Sequence, residues 1–206
     1  MAHIDIVEGA SDAAVAEWLA ARLDNALARR REPVAVTVPG GSTPFPIFEA
    51  LTRYPLDWAR VTIWPGDDRQ VPEDHPASNT GRIRALFEPA GAEVVRLTPM
   101  EDVPHFALAW LGMGADGHIA SLFPSDDPRA DDPQRIRLTT PDPLPPEAPF
   151  DRITLTMPAL LDSDALMFVS RGGDKRALLE AAAMGENDLP VARLLAAARQ
   201  PVTCFT

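Results

Sequence analysis

The chain has 206 residues, of which 46% are hydrophobic, 24% charged and one is cysteine. That length fits one large domain or two small ones and buries roughly 70% of the unfolded surface, and a single thiol, Cys204, rules out a disulfide scaffold. Thirty acidic residues oppose nineteen basic ones, a net charge of −11 that disfavours nucleic acid and anionic membranes as partners.

No apolar run nears the ~20 residues of a membrane span. The opening Met-Ala-His-Ile-Asp-Ile-Val-Glu lacks the basic and apolar regions of a signal peptide, so the expected compartment is the cytoplasm. Ser11 is placed to cap a helix over 13–30, with Val15, Trp18, Leu19 and Leu23 at helical spacing. Val34–Val38 is β-branched and reads as a strand. Pro39-Gly40-Gly41-Ser42-Thr43 turns the chain into a second helix over 44–52, whose Pro44 and Pro46 fall where a missing N–H costs little. Strands are expected at 60–64, 93–97 and 106–111, and a helix at Asn79–Phe87. A short helix is expected from Asp116. Pro124–Pro149 holds eight of the 22 prolines and reads as an ordered covering loop. Strands at 152–156 and 166–170, helices at 174–184 and 190–199, and a strand from Val202 complete the chain.

Strands alternating with helices predict a single α/β domain over 1–206, built on a mostly parallel sheet flanked by helices. One junction resists this. A parallel pair needs a crossover of a dozen or more residues, but only 98–105 separate the strands at 93–97 and 106–111. The first of them is therefore antiparallel, an edge segment, or outside the sheet.

In such sheets ligands bind at the carboxyl ends of strands, so the residues after each strand carry the chemistry. Gly40-Gly41-Ser42-Thr43-Pro44 offers close backbone approach, two hydroxyls and the free N–H groups of a helix start, which together suit a phosphate. It lacks the Walker lysine and the G-x-G-x-x-G spacing, so no nucleotide is implied. Gly66-Asp67-Asp68-Arg69 supplies a guanidinium for a phosphate and aspartates to hold it, orient a histidine or act as a base. Gly112-Met113-Gly114-Ala115-Asp116-Gly117-His118 places a histidine among three glycines beside Asp116. Its ordinary pKa, about 6.5, suits a general base, whereas His3, His75 and His105 lack such a setting. Arg171-Gly172-Gly173-Asp174-Lys175 puts the only lysine at a helix start, against the helix dipole, where a bound phosphate would give it a purpose. No H-x-x-H, C-x-x-C or H-E-x-x-H spacing points to a metal.

Together these motifs resemble the glucosamine-6-phosphate isomerase/6-phosphogluconolactonase family, and the resemblance runs from about Val34 to Thr206. Gly112–Pro124 matches its G-x-G-x-D-G-H-x-A-S-L-F-P. Gly40–Pro44, Gly66–Arg69 with Val71-Pro72, Ser78-Asn79, Arg152–Thr156 and Lys175 support it. The resemblance implies a sugar-phosphate-isomerase-type α/β fold and hydrolysis of 6-phospho-D-glucono-1,5-lactone without metal or organic cofactor, with His118 as general base. Asp67 and Asp116 are the candidate catalytic carboxylates beside it, and a monomer or weak homodimer is expected. Gly40, Gly41, Ser42, Thr43, Arg69, Lys175 and Asn79 are the expected substrate and phosphate contacts, and Gly114 and Gly117 the expected N–H donors to the oxyanion. Two rivals stay open: an amino-sugar phosphate isomerase–deaminase with Asp67 as base, and a sugar-phosphate sensor without turnover. The chain departs from the family at Asp68, where glutamate is usual, and at 98–105, too short for the helix that normally precedes the strand leading into the D-G-H motif.

Overall fold

The computed structural model describes residues 4–146 and 148–206; His3, like the rest of the first three residues and Glu147 in the proline-rich stretch, lies outside the described residues. The elements run β1 (Ile4–Val7), α1 (Asp12–Arg29), β2 (Val34–Val38), α2 (Pro44–Leu51), β3 (Val61–Pro65), β4 (Asp67–Arg69), α3 (Asn79–Phe87), β5 (Glu93–Val94) and β6 (Leu108–Leu111). They continue with β7 (Ile136–Thr139), β8 (Arg152–Leu155), α4 (Met157–Leu161), β9 (Leu166–Val169), α5 (Gly173–Met184), α6 (Pro190–Ala197) and β10 (Val202–Phe205). Ser11 caps α1 as its sequence position predicts, its Oγ accepting the Ala14 N–H at 3.2 Å.

Seven strands form one sheet in the order β1-β10-β9-β6-β2-β3-β5, every pair parallel. Its inner strands β2 and β6 are buried on both faces, as a covered parallel sheet requires, and side chains alternate between two cores. Val34, Val36, Ile63, Trp110 and Met167 point to the layer of α1, α2 and α3. Ala35, Trp64, Ala109, Leu111, Leu166 and Phe168 point to the layer that holds α4, α5 and α6. Phe48 of α2 is fully buried and meets Phe45, Phe87 and Trp110 edge-on at 5.5, 5.2 and 5.1 Å, a cluster that fixes α2 and α3 onto β6. Cys204 is core, and burial pushes its thiol up to about 11.

The resisting junction resolves as an edge. β5 keeps only Glu93–Val94 and pairs in parallel with β3, not with β6, so residues 95–107 return as helix-free coil over the second core. Leu97 and Val103 bury themselves there in place of a helix face. The far end of the coil is anchored to the loop after α4: the Phe106 N–H donates to Asp162 O and the Asp164 N–H to Phe106 O, both at 2.9 Å. His105 bridges the Asp162 and Asp164 carboxylates at 2.6 and 2.8 Å.

Three expectations need correction. No helix follows Asp116; residues 114–123 are turns, tied by bridges of Ile119 to Met113 and Leu122, because the glycines and the backbone bonds among them favour tight reversal over a helical ladder. The covering loop is only partly a loop: β7 within it pairs antiparallel with β8. The 152–156 strand does not join the main sheet but forms a second, three-stranded antiparallel sheet, β4-β8-β7. Strands β1 and β4 and helix α4 were not expected from the sequence.

Candidate active site

The main sheet reverses direction of winding between β2 and β6, where β2 leads outward to β3 and β5 while β6 leads to β9, β10 and β1. Ligands in open α/β sheets bind at such a switch point, beyond the carboxyl ends of the strands. A cleft of about 310 Å³ lies there, lined by the turn after β2 (Gly40–Thr43), by Asp67 and Arg69 of β4, by Asn79, by Gly114 and His118 after β6, and by Lys175. The strand order of the main sheet, the start of α5 and the second sheet that carries β4 together bring sequence-distant motifs to one place.

At one end sits a carboxylate–imidazole pair. Asp116 Oδ1 lies 2.6 Å from His118 Nδ1 and also accepts the His118 backbone N–H at 3.3 Å, a local turn that orients the carboxylate toward the ring. The carboxylate makes Nδ1 the protonated nitrogen and leaves Nε2, which has no protein partner among the described residues, as the basic site. The ring is held on its other side by Phe123, centroid to centroid at 4.9 Å. Gly114 is required beside this pair, since a Cβ there would stand 2.2 Å from His118 Cε1 and 2.5 Å from Asp116 Oδ1.

The other groups form an anion-binding wall. Among the described residues the Arg69 side chain meets no carboxylate: it donates to Ala77 O at 2.9 Å, and its Nε is buried without a partner. Lys175, on the third residue of α5, forms no ion pair among the described residues. The N–H groups of Gly40, Gly41, Ser42 and Thr43 and the hydroxyls of Ser42 and Thr43 likewise meet no protein acceptor or donor there. Unpaired cations and aimed N–H donors at the start of α2 make a site for a phosphate-sized anion, even in a chain of net charge −11. The Debye length of about 8 Å at physiological salt confines the distant acidic field.

The two aspartates after Gly66 divide the labour. Asp68 is buried, and its carboxylate accepts from the Arg69, Asn79 and Thr80 N–H groups at 2.7, 2.6 and 2.9 Å and from Ser78 Oγ at 3.1 Å. It anchors the start of α3 and is turned away from the cleft. Asp67 faces the cleft. Burial pushes its carboxyl up from the usual range, while the bond from Ser121 and the charges of Arg69 and His118 act against that rise.

The sequence matches the family described as glucosamine-6-phosphate isomerases/6-phosphogluconolactonase over residues 8–102 and 87–203. The chain belongs to that family. The two matched stretches overlap at the passage from α3 through β5 into the helix-free coil. The chain is 35% identical to a 6-phosphogluconolactonase of Pseudomonas aeruginosa, covering 92% of this chain and 87% of that one. It is 33% identical to one of Mesorhizobium japonicum, with 93% and 89% covered. The fold superposes on a 6-phosphogluconolactonase of Shewanella baltica with a TM-score of 0.81 at 25% identity, over 98% of this chain and 97% of that one.

Within this family member, the sequence expectations meet the structure unevenly. His118, Asp67, Gly40, Gly41, Ser42, Thr43, Arg69, Lys175, Asn79 and Gly114 all line the cleft. Asp116 stands behind His118. Gly117 does not face the ligand space: its Cα packs on Leu189, where a Cβ would come within 2.8 Å, and its φ of +78° makes the turn. The expected oxyanion donors also fail, because the Gly114 N–H is given to His118 O at 2.9 Å and the Gly117 N–H to Gly114 O at 3.1 Å. The unengaged N–H groups belong to the Gly40–Thr43 turn instead. His75 is structural, its Nδ1 accepting the Ala77 N–H at 3.1 Å. Sequence reasoning gave Ser121 no role in the site, although it is the serine of the Gly112–Pro124 motif; its Oγ–H donates to Asp67 Oδ2 at 2.5 Å. Among the described residues no helix is long and apolar enough to cross a membrane.

Proposed function

We propose that this protein hydrolyses 6-phospho-D-glucono-1,5-lactone to 6-phospho-D-gluconate. The observation that carries the reading is one cleft holding both the Asp116–His118 pair, with Nε2 free, and two cations without carboxylate partners. A phosphate held by Arg69, Lys175, Ser42 and Thr43 leaves the far end of the sugar toward His118. There Nε2 removes a proton from water as its oxygen attacks C1. Asp116 steadies the imidazolium that forms. The negative charge of the tetrahedral intermediate develops on the C1 oxygen, beside the imidazolium. The intermediate then collapses, the C1–ring oxygen bond breaks, and the imidazolium returns its proton to the ring oxygen. A positioned base of this kind contributes about 10²–10⁴-fold, adequate for an ester already activated by its ring. The protein is read as a monomer or weak homodimer of the cytoplasm.

The test is a coupled assay on freshly generated lactone, with the spontaneous rate subtracted. Wild type turns over, and His118→Ala loses about 10²-fold or more. Full activity in His118→Ala, phosphosugar binding without turnover in wild type, or ammonia release from glucosamine 6-phosphate would each overturn the reading.

A further inference from the structure

Ser121 takes no part in the chemistry above, yet it is fully buried and spends its hydroxyl on the one carboxylate that faces the cleft. Its place is built from three directions. The Ser121 N–H donates to Thr154 Oγ1 at 3.1 Å, and Thr154 is the ladder partner of Asp67 across β4 and β8. Asp67 O accepts from Asn79 Nδ2 at 3.0 Å. Between His118 and Ser121 the chain passes through Ala120 at φ +50°, a conformation that costs a non-glycine residue energy and is kept where the surroundings enforce it. That kink places His118 on the cleft and returns Ser121 to the carboxylate of Asp67.

The consequence is asymmetric. Oδ2 of Asp67 is taken by Ser121, whereas Oδ1 has no protein partner among the described residues. The charged groups that act on Asp67 are Asp68 and Arg69 on its own strand, Arg152 across the ladder, and His118 from the motif turn. A lactone with its phosphate on Arg69 and Lys175 and its C1 at His118 passes over Asp67. The hydrogen-bond donors its ring carries are hydroxyls. We infer that Asp67 Oδ1 accepts a hydrogen bond from a ring hydroxyl of the lactone, and that Ser121 is the positioning residue that turns the carboxylate to present Oδ1. The inference rests on the lactonase reading and goes further, naming the group that recognises the sugar ring apart from its phosphate. Burial raises the Asp67 pKa and the Ser121 bond works against that rise, so the bond favours the ionised carboxylate, the form that accepts at both oxygens.

The experiment compares wild type, Ser121→Ala and Asp67→Asn on the phosphorylated lactone from about pH 5 to 8, with kcat and KM determined separately. A hydrogen bond to a charged group corresponds to about tenfold or more in affinity. Asp67→Asn is expected to raise KM about tenfold at every pH with kcat within about threefold. Ser121→Ala raises KM less at high pH, but its KM begins to climb at a higher pH than in wild type, because Asp67 now protonates sooner. The pH dependence of kcat is the same in Ser121→Ala as in wild type. A lactone lacking the contacted hydroxyl binds wild type and Asp67→Asn alike. Unchanged KM in both variants, or a loss confined to kcat, overturns the inference while leaving the lactonase reading standing. Absence of turnover in wild type removes that reading itself, so the two failures are distinct.

Discussion

Replacing Gly114 with alanine adds one methyl group and no charge, and it tests the site at its tightest point. Gly114 does not have a positive φ, so its backbone accepts alanine without strain, and the effect is confined to what the new Cβ meets. It would stand 2.2 Å from His118 Cε1, 2.3 Å from His118 Nδ1 and 2.5 Å from Asp116 Oδ1, against a comfortable heavy-atom separation of about 3.5 Å. The imidazole and carboxylate must therefore move by about 1 Å. Displacements of that size cost about 10²-fold in rate, or about 2.7 kcal/mol of barrier. The fold survives, since about 1 kcal/mol of local strain lowers the melting temperature of a chain this size by only ~2–4 °C. The assay is kcat/KM on fresh lactone beside a thermal melt. A folded Gly114→Ala protein that keeps more than about a third of wild-type kcat/KM would refute the placement of the Asp116–His118 pair as the catalytic unit.

Asp116→Asn loses the carboxylate that selects the His118 tautomer. Because the Asp116 side chain is 55% exposed, the fall in kcat is expected near the low end of the usual range, about 10²-fold with KM unchanged; an unaltered kcat argues against the pair. Arg69→Ala and Lys175→Ala should each raise KM about tenfold and erode the preference for phosphorylated over unphosphorylated lactone. Equal efficiency of wild type on both lactones would remove the phosphate assignment. His105 supplies a pH-dependent stability term. Burial works against its charged form, but the bonds to Asp162 and Asp164 outweigh it and raise the pKa. With the folded value above the unfolded value of about 6.5, the stabilisation is complete below that pH and disappears as pH rises through the folded pKa. The group is 44% exposed, so the gain stays below about 1 kcal/mol. Urea midpoints of wild type and His105→Gln should differ more at about pH 5.5 than at 8.5, and the reverse order would contradict the anchoring role.

Much of the site was legible because its parts are local. Glycines after β2 and β6, a helix start at Pro44 and the lone lysine in the first turn of α5 announce themselves through turn chemistry and helix-start rules that act within a few residues. The same locality explains the misses. Whether the Gly114 and Gly117 N–H groups were free depended on the reversal at 114–118, where the chain turns on itself and engages both. The link from Ser121 to Asp67 spans 54 residues, and no spacing rule reaches that far. The stretch at 93–97 was expected to be a fuller strand, but only Glu93–Val94 finds a partner on β3, since an edge strand lasts as long as its neighbour offers a ladder.

The charge count by itself weighs against nucleic acid and anionic membranes as partners, and the motifs after each strand single out the candidate residues for the chemistry. Only the tertiary structure decided that an acidic chain keeps two cations without carboxylate partners in one cleft. Net charge is a sum over the chain, whereas binding depends on charges within a Debye length, and which charges meet there is set by the order of strands. It likewise decided how the chain closes without a crossover helix. Burial of Leu97 and Val103 and the anchoring of Phe106 and His105 are contacts between distant segments, and their energy exists only once the sheet is assembled.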